Sequence, residues 1–394
     1  MVDALREVDR GQWNALAGPD DFYQSHEWLT AVEQDRTARC RYLLSYLDGR
    51  LVGALPLYRA AFEGSPSYRP ERFRALLGVT GDYLVAGARR CYRSTVLLAP
   101  GLSSAAADEV AAELLRAALA SAAEEGLEGV VLPYAPASMV ERIGRSMPVT
   151  VAYDSAEAVV PGVGSGLEEY LRSLSGKRRH TARKEMARYA AAGWHTGTEQ
   201  LADCLSDAAR LVSLVEQRHG RDTPDILLRR VFRRQAEAAD HRAVVFTCRD
   251  EQGRMAACSV NYVWQGTLYN RSVGFDQALL KDSFEYFNLL VYRAVAHASG
   301  HGLDRLHLSV EPSRAKLQRG AVLSPLWTAV VSGAAAGDRP GVRVVDPGAM
   351  ERWAEPLRSY AHAFPADRWT LPGPGPGQPD PAGPAGTVQA RPGG

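Results

Sequence analysis

The densest cluster of reactive side chains lies at Lys177, Arg178, Arg179, Arg183, Lys184 and Arg188, offset only by Glu185. Helical spacing puts Arg179 with Arg183, and Lys184 with Arg188, on common faces. Such a cluster can neutralise RNA phosphates and make binding salt-dependent; a solvated helix face is the other reading. Arg229, Arg230, Arg233 and Arg234 form a second basic run, amphipathic with Leu228, Val231 and Phe232 inward, and read as surface. Tyr269, Arg271 and Asp276 flank one apolar run. Tyr269 or Asp276 can relay a proton, although Asp276 equally suits a turn cap. Glu311, just past the next apolar run, is a further base candidate. Other chemistries find little support. Nine histidines and five cysteines show no ligand, CxxC or zinc spacing. No Ser/His/Asp or Cys/His arrangement is visible, which disfavours covalent catalysis. Gly162, Gly164 and Gly166 precede a helix, but GxGxG is neither the dinucleotide fingerprint nor a P-loop, so it reads as a connection.

A chain of 394 residues predicts two domains with a sizeable core. With 46 basic and 45 acidic residues its formal charge is +1, so any polyanion must be held by a local patch. The N-terminus lacks a signal-peptide pattern and no run of 18 apolar residues occurs, from which no membrane span and a cytoplasmic location are expected. Residues 371–394 are rich in Pro and Gly and are expected to be disordered.

The elements that must position the candidates occur twice. Residues 109–136 read as a long helix, a stop at Gly126, and a strand at Val130–Leu132. Residues 285–312 repeat this with Gly302 and Leu306–Leu308. A hairpin at 41–59 around Asp48-Gly49 precedes the first, and three strands at 243–276 precede the second. The repeat predicts an α/β fold of two homologous units with separate mixed sheets; one continuous sheet spanning both would discard that reading of the repeat.

The segment LRSLSGKRRHTARKE (171–185) resembles the opening of a GNAT-like domain in Fem-type peptidoglycan aminoacyltransferases. YNRSVGFDQALLKDSFEYFNLLVYRAVAHASGHGLDRLHLS is similar to the strand, turn, helix and strand of that group, and KLQRGAVLSPLW (316–327) to its closing element. FYQSHEWLTAV (22–32) and the hairpin at 41–59 resemble the opening of a first unit. The likeness covers residues 20–330. It implies tandem GNAT-like domains at 1–155 and 156–370, followed by the tail, and transfer of an acyl or aminoacyl group to an amine.

Amine acylation needs main-chain N–H donors for the oxyanion more than it needs side chains. Acetyl-CoA-using members hold the pyrophosphate in a glycine-rich loop before the helix. Here the joint Phe275–Ser283 has no such loop, and Ser283 or Asp282 reads as an N-cap. The expected donor is therefore aminoacyl-tRNA, with no cofactor, and the acceptor a small-molecule or peptide amine. The resemblance implies that Lys316 contacts the donor phosphate, with Lys177, Arg178, Arg179, Arg183 and Arg271 in support; Ala315 replaces the group's aromatic partner. An acyl-CoA-dependent N-acetyltransferase and a catalytically silent binding module are the alternatives.

Overall fold

A computed structural model describes residues 1–60, 63–221, 223–310, 314–333 and 339–373; the tail beyond 373 and Glu311 lie outside the described residues. The first half contributes β1 (Ala38–Leu47), β2 (Arg50–Ala60), β3 (Tyr83–Ala86), β4 (Leu97–Leu98), β5 (Gly129–Pro136) and β6 (Pro148–Pro161). The second contributes β7 (His195–Glu199), β8 (Ala243–Arg249), β9 (Met255–Trp264), β10 (Thr267–Phe275), β11 (Arg305–Val310), β12 (Val322–Ser332) and β13 (Gly341–Val344).

Local chemistry explains the repeated joints. Asp48-Gly49 and Gln265-Gly266 both take positive φ at the two turn positions, the conformation that closes a two-residue hairpin. The helix Ser104–Glu124 starts with the Ser103 hydroxyl accepting from Ala106 N–H. It stops before Gly126, as the helix Arg293–Gly300 stops before Gly302; these glycines have φ of 70° and 67°. Both stops release the chain into a buried strand, β5 or β11, that runs parallel to β3 or β10.

The helix–strand repeat is therefore present, but its two copies lie in one continuous sheet, so the expectation of separate sheets is overturned. Among the described residues the sheet runs β1-β2-β3-β5-β12-β6-β11-β10-β9-β8-β7, with β4 paired to β2 and β13 to β6. The expectation of two sheets fails because each half sends its last long strand to the other. β6 pairs antiparallel with β11, β12 pairs antiparallel with β5, and β6 and β12 pair with each other. A Cβ at Gly129 would come within 2.3 Å of the Val331 carbonyl, so a glycine is needed where the exchanged β12 crosses β5. The expected boundary at 155/156 falls inside β6.

The N-terminal segment seals the joint on one face. Phe22, Tyr23 and Trp28 pack against Tyr262, Trp264 and Tyr269 of the second unit. Side chains of Trp264, Gln265 and Tyr269 donate to the carbonyls of Gly18, Ala17 and Pro19. On the opposite face the helical stretch Glu285–Gly300, which contains a π-helical turn at Asn288–Tyr292, packs with Leu268 and Leu308. No helix among the described residues is long and apolar enough to cross a membrane.

Candidate active site

The strands β10 and β11 run in register for three pairs, ending at Tyr269 opposite His307. Beyond that pair they part. The register of β10 with β9 shifts between Asn270 and Ser272, which makes Arg271 a bulged residue. A bulge bends and twists its strand. On the other side Ser309 takes φ of 61°, and β11 regains β6 only at Val310. The result is a wedge between two parallel strands. Among the described residues, main chain on β10 beyond Tyr269 pairs with no strand on that side, the place where N–H groups could meet an oxyanion.

The sequence candidates divide around this wedge. Tyr269 is fully buried; it stacks on His307 at 4.9 Å and donates to Pro19 O at 2.5 Å. Asp276 pairs with Arg210 at 2.8 Å and accepts from Ala278 N–H, so its visible work is to cap a turn. Lys316 is buried and its ammonium donates to Leu308 O (2.7 Å) and Val310 O (3.3 Å), carbonyls of the parted stretch of β11. Its observed placement braces the wedge from within. Arg271 faces the aromatic seam.

The helix start differs from the expectation. Neither Ser283 nor Asp282 caps it by side chain: Asp282 and Phe284 take positive φ, and Glu285 folds back. Its buried carboxylate accepts from Lys281 N–H and Ser283 N–H, each at 3.0 Å, and from the Ser283 hydroxyl at 2.8 Å. Burial pushes this carboxyl up, but hydrogen bonds from main chain and Ser283 outweigh that and hold it below the usual range. The chain thus supplies its own anion where a donor pyrophosphate would need N–H groups, and these residues do not fit that group.

The basic helix Gly176–Ala190 shares out its cations unevenly. Arg179 donates to the carbonyls of Leu171, Arg172 and Leu174 and closes the preceding helix. Arg178 lies over the Tyr360 ring at 5.2 Å, and Arg183 pairs with Glu168 at 2.9 Å. Lys177, Lys184 and Arg188 are exposed, at spacings of seven and four that place them on one stripe. Arg188 lies 5.5 Å from the Phe284 ring, so the stripe ends beside the Glu285 turn.

Residues 176–317 match the family described as Acetyltransferase (GNAT) domain. The chain carries a GNAT acyltransferase domain. The match spans the basic helix, the wedge and Lys316 of the second unit. Several solved structures are similar in fold over most of the chain. The FemX crystal structure has a TM-score of 0.58 at 12% identity, over 82% of this chain and 96% of FemX. The C-terminal domain of a protein described as a candidate lysylphosphatidylglycerol synthetase from Agrobacterium fabrum has a TM-score of 0.53 at 14% identity, over 84% and 94%. A Bacteroides thetaiotaomicron protein of unknown function has a TM-score of 0.53 at 10% identity, over 82% and 98%. At these identities the likeness shows the fold. No curated protein matches the chain.

On the seam side of the GNAT domain, the structure gathers charged groups that the sequence reading did not single out. Two adjoining hollows of about 480 and 380 Å³ share Asp20, Arg93, Pro136 and Ser138. In the second, Glu157 of β6 pairs with Arg93 at 2.6 Å, and His307 lies 3.3 Å away. Ser309 N–H donates to His307 Nδ1, which assigns the proton to Nε2, facing Glu157. In the first, Asp21 accepts from Gly18 N–H and Thr95; burial raises its carboxyl above the usual range, making it the better proton acceptor. These residues are far apart in sequence, 21, 93, 157 and 307, and only the exchanged strand β6 brings Glu157 to β11.

Glu157 gives a pH test. Burial raises its pKa, but Arg93 and then His307 outweigh that and lower it to about 2. A depressed carboxylate stabilises the fold fully above its unfolded pKa, and that contribution fades as pH falls towards 2. The shift corresponds to about 3 kcal/mol. Urea unfolding should show the advantage of wild type over Glu157→Gln shrinking steadily from pH 5 to pH 3. A difference independent of pH would refute the assignment.

Proposed function

We propose that this acyltransferase forms an amide bond by moving an aminoacyl group from aminoacyl-tRNA to the amine of a small molecule or peptide. The observation that carries the donor is Glu285, whose carboxylate takes the N–H groups that a CoA pyrophosphate would require. The exposed stripe Lys177, Lys184 and Arg188, which leads to the same turn, supplies cations for a phosphodiester chain instead. In this reading the neutral amine attacks the ester carbonyl in the wedge. N–H groups of β10 take the developing oxyanion, Asp21 accepts the amine proton, and that proton passes to the tRNA 3′-terminal ribose oxygen, which leaves as a hydroxyl when the C–O bond breaks.

The test supplies charged tRNA, acetyl-CoA or neither to a panel of amines and weighs the products by mass spectrometry. Aminoacyl adducts with charged tRNA alone are expected. Acetylated products without aminoacyl ones would overturn the donor, and no product with either would overturn the proposal.

A further inference from the structure

Buried arginines in this chain have acidic partners: Arg89 pairs with Glu63, and Arg319 with Glu185. Half-buried Arg93 likewise pairs with Glu157. Arg271 does not follow them. Its guanidinium carbon lies 4.5 Å from the Tyr92 ring centroid, 5.1 Å from Trp28 and 5.7 Å from Tyr23. Its protein acceptor among the described residues is the Tyr68 hydroxyl, at a long 3.4 Å. Burial works against its charge, and the ionisable groups nearest to it are the hydroxyls of Tyr68, Tyr92 and Tyr23. Tyr23 is buried, and its own hydroxyl has no hydrogen-bond partner among the described residues.

Aromatic faces hold a cation in place but leave the in-plane N–H donors of the guanidinium unused. A half-desolvated cation without a counter-ion is costly, and an arriving carboxylate or phosphate recovers that cost through charge-assisted, two-pronged hydrogen bonds. The position is telling. Arg271 is the bulged residue two places past the last β10–β11 pair. Its cage lies on the seam face, whereas Glu285–Gly300 and the basic stripe approach from the opposite one.

We infer that Arg271, with the hydroxyls of Tyr23 and Tyr68, binds an anionic oxygen group, a carboxylate or a phosphate, of the acceptor amine. This rests on the acyl-transfer reading for the word acceptor, and it moves Arg271 from the donor side, where the sequence put it, to the opposite side of the wedge. Acceptors would then be amino acids, peptides with a free carboxylate, or phosphorylated amines, held so that the amine reaches the wedge.

The test measures binding without any donor, so it can succeed while transfer fails. Equilibrium binding to the full chain is compared within two pairs of probes, lysine with cadaverine and phosphoethanolamine with ethanolamine, at millimolar concentration. The first pair reports a carboxylate and the second a phosphate. Wild type should favour the anionic member of at least one pair by about tenfold or more, the scale of a charge-assisted hydrogen bond. Arg271→Gln should abolish that preference while retaining the wild-type thermal midpoint, and Arg271→Lys should restore part of it. Absence of preference in both pairs, or its persistence in folded Arg271→Gln, overturns the inference. Should Arg271→Gln fail to fold, Tyr23→Phe decides: a several-fold loss of preference supports the site, and full preference overturns it.

Discussion

Replacing Arg319 with Met should cost about 3–5 kcal/mol of stability, a large share of what holds a domain together. Arg319 and Glu185 are both about 95% buried and meet at 2.6 Å, with one guanidinium nitrogen donating to both carboxylate oxygens. The rest of the guanidinium donates to Tyr292 Oη and Ala315 O, while Tyr170 donates to Arg319 O. The network ties the basic helix to the helical stretch Glu285–Gly300 and to the turn after Lys316. Removing only the arginine leaves a buried carboxylate with the Tyr292 hydroxyl. Removing both charges, as in Glu185→Met with Arg319→Met, takes away the stranded charge and should recover most of the loss. Urea unfolding of the two single variants and the double one measures this. A single-variant cost below about 1 kcal/mol, the range of exposed pairs, would show that the network is ornamental.

That network also marks where the sequence stopped being legible. Glu185 looked like a lone offset to a basic cluster, because nothing local says that Arg319, far along the chain, will reach it. What was legible was local: Asp48-Gly49, Gly126 and Gly302 dictate turns and helix stops within a few residues, and the structure places them as expected. The same punctuation revealed two units. It could not reveal the exchange of β6 and β12, since both are apolar strands that either sheet would accept. The site follows the same division. Lys316 and Tyr269 were found by position in a pattern, yet their environments are set by distant partners, the carbonyls of β11 and Pro19. Glu285 had a readable signal, a carboxylate just inside a helix after Asp282-Ser283, which is the chemistry of an N-terminal cap. The setting of Arg271 had none, because its aromatic walls come from residues 23, 28 and 92 and its hydroxyl acceptor from residue 68.

The basic helix carries the other large effect. Arg179 and Arg183 drew notice in the sequence, but one caps the preceding helix and the other is paired, so their charge is partly spent. The stripe that remains, Lys177, Lys184 and Arg188, should carry the phosphate contacts of the donor. Each neutralised phosphate contributes a slope of about 0.9 to the dependence of log affinity on log salt. Changing all three residues to Gln should therefore lower the slope by about 2–3 and weaken tRNA binding at 0.1 M salt by about two to three orders of magnitude. Stability should barely move, since exposed substitutions of this kind stay within about 0.5 kcal/mol. Arg179→Gln provides the contrast: it should lower the thermal midpoint by freeing the carbonyls of Leu171, Arg172 and Leu174, with little change in slope. Titrations of uncharged tRNA at several salt concentrations separate the two variants. An unchanged slope in the triple variant would remove the stripe from the donor path, and the case for tRNA would then rest on Glu285 alone.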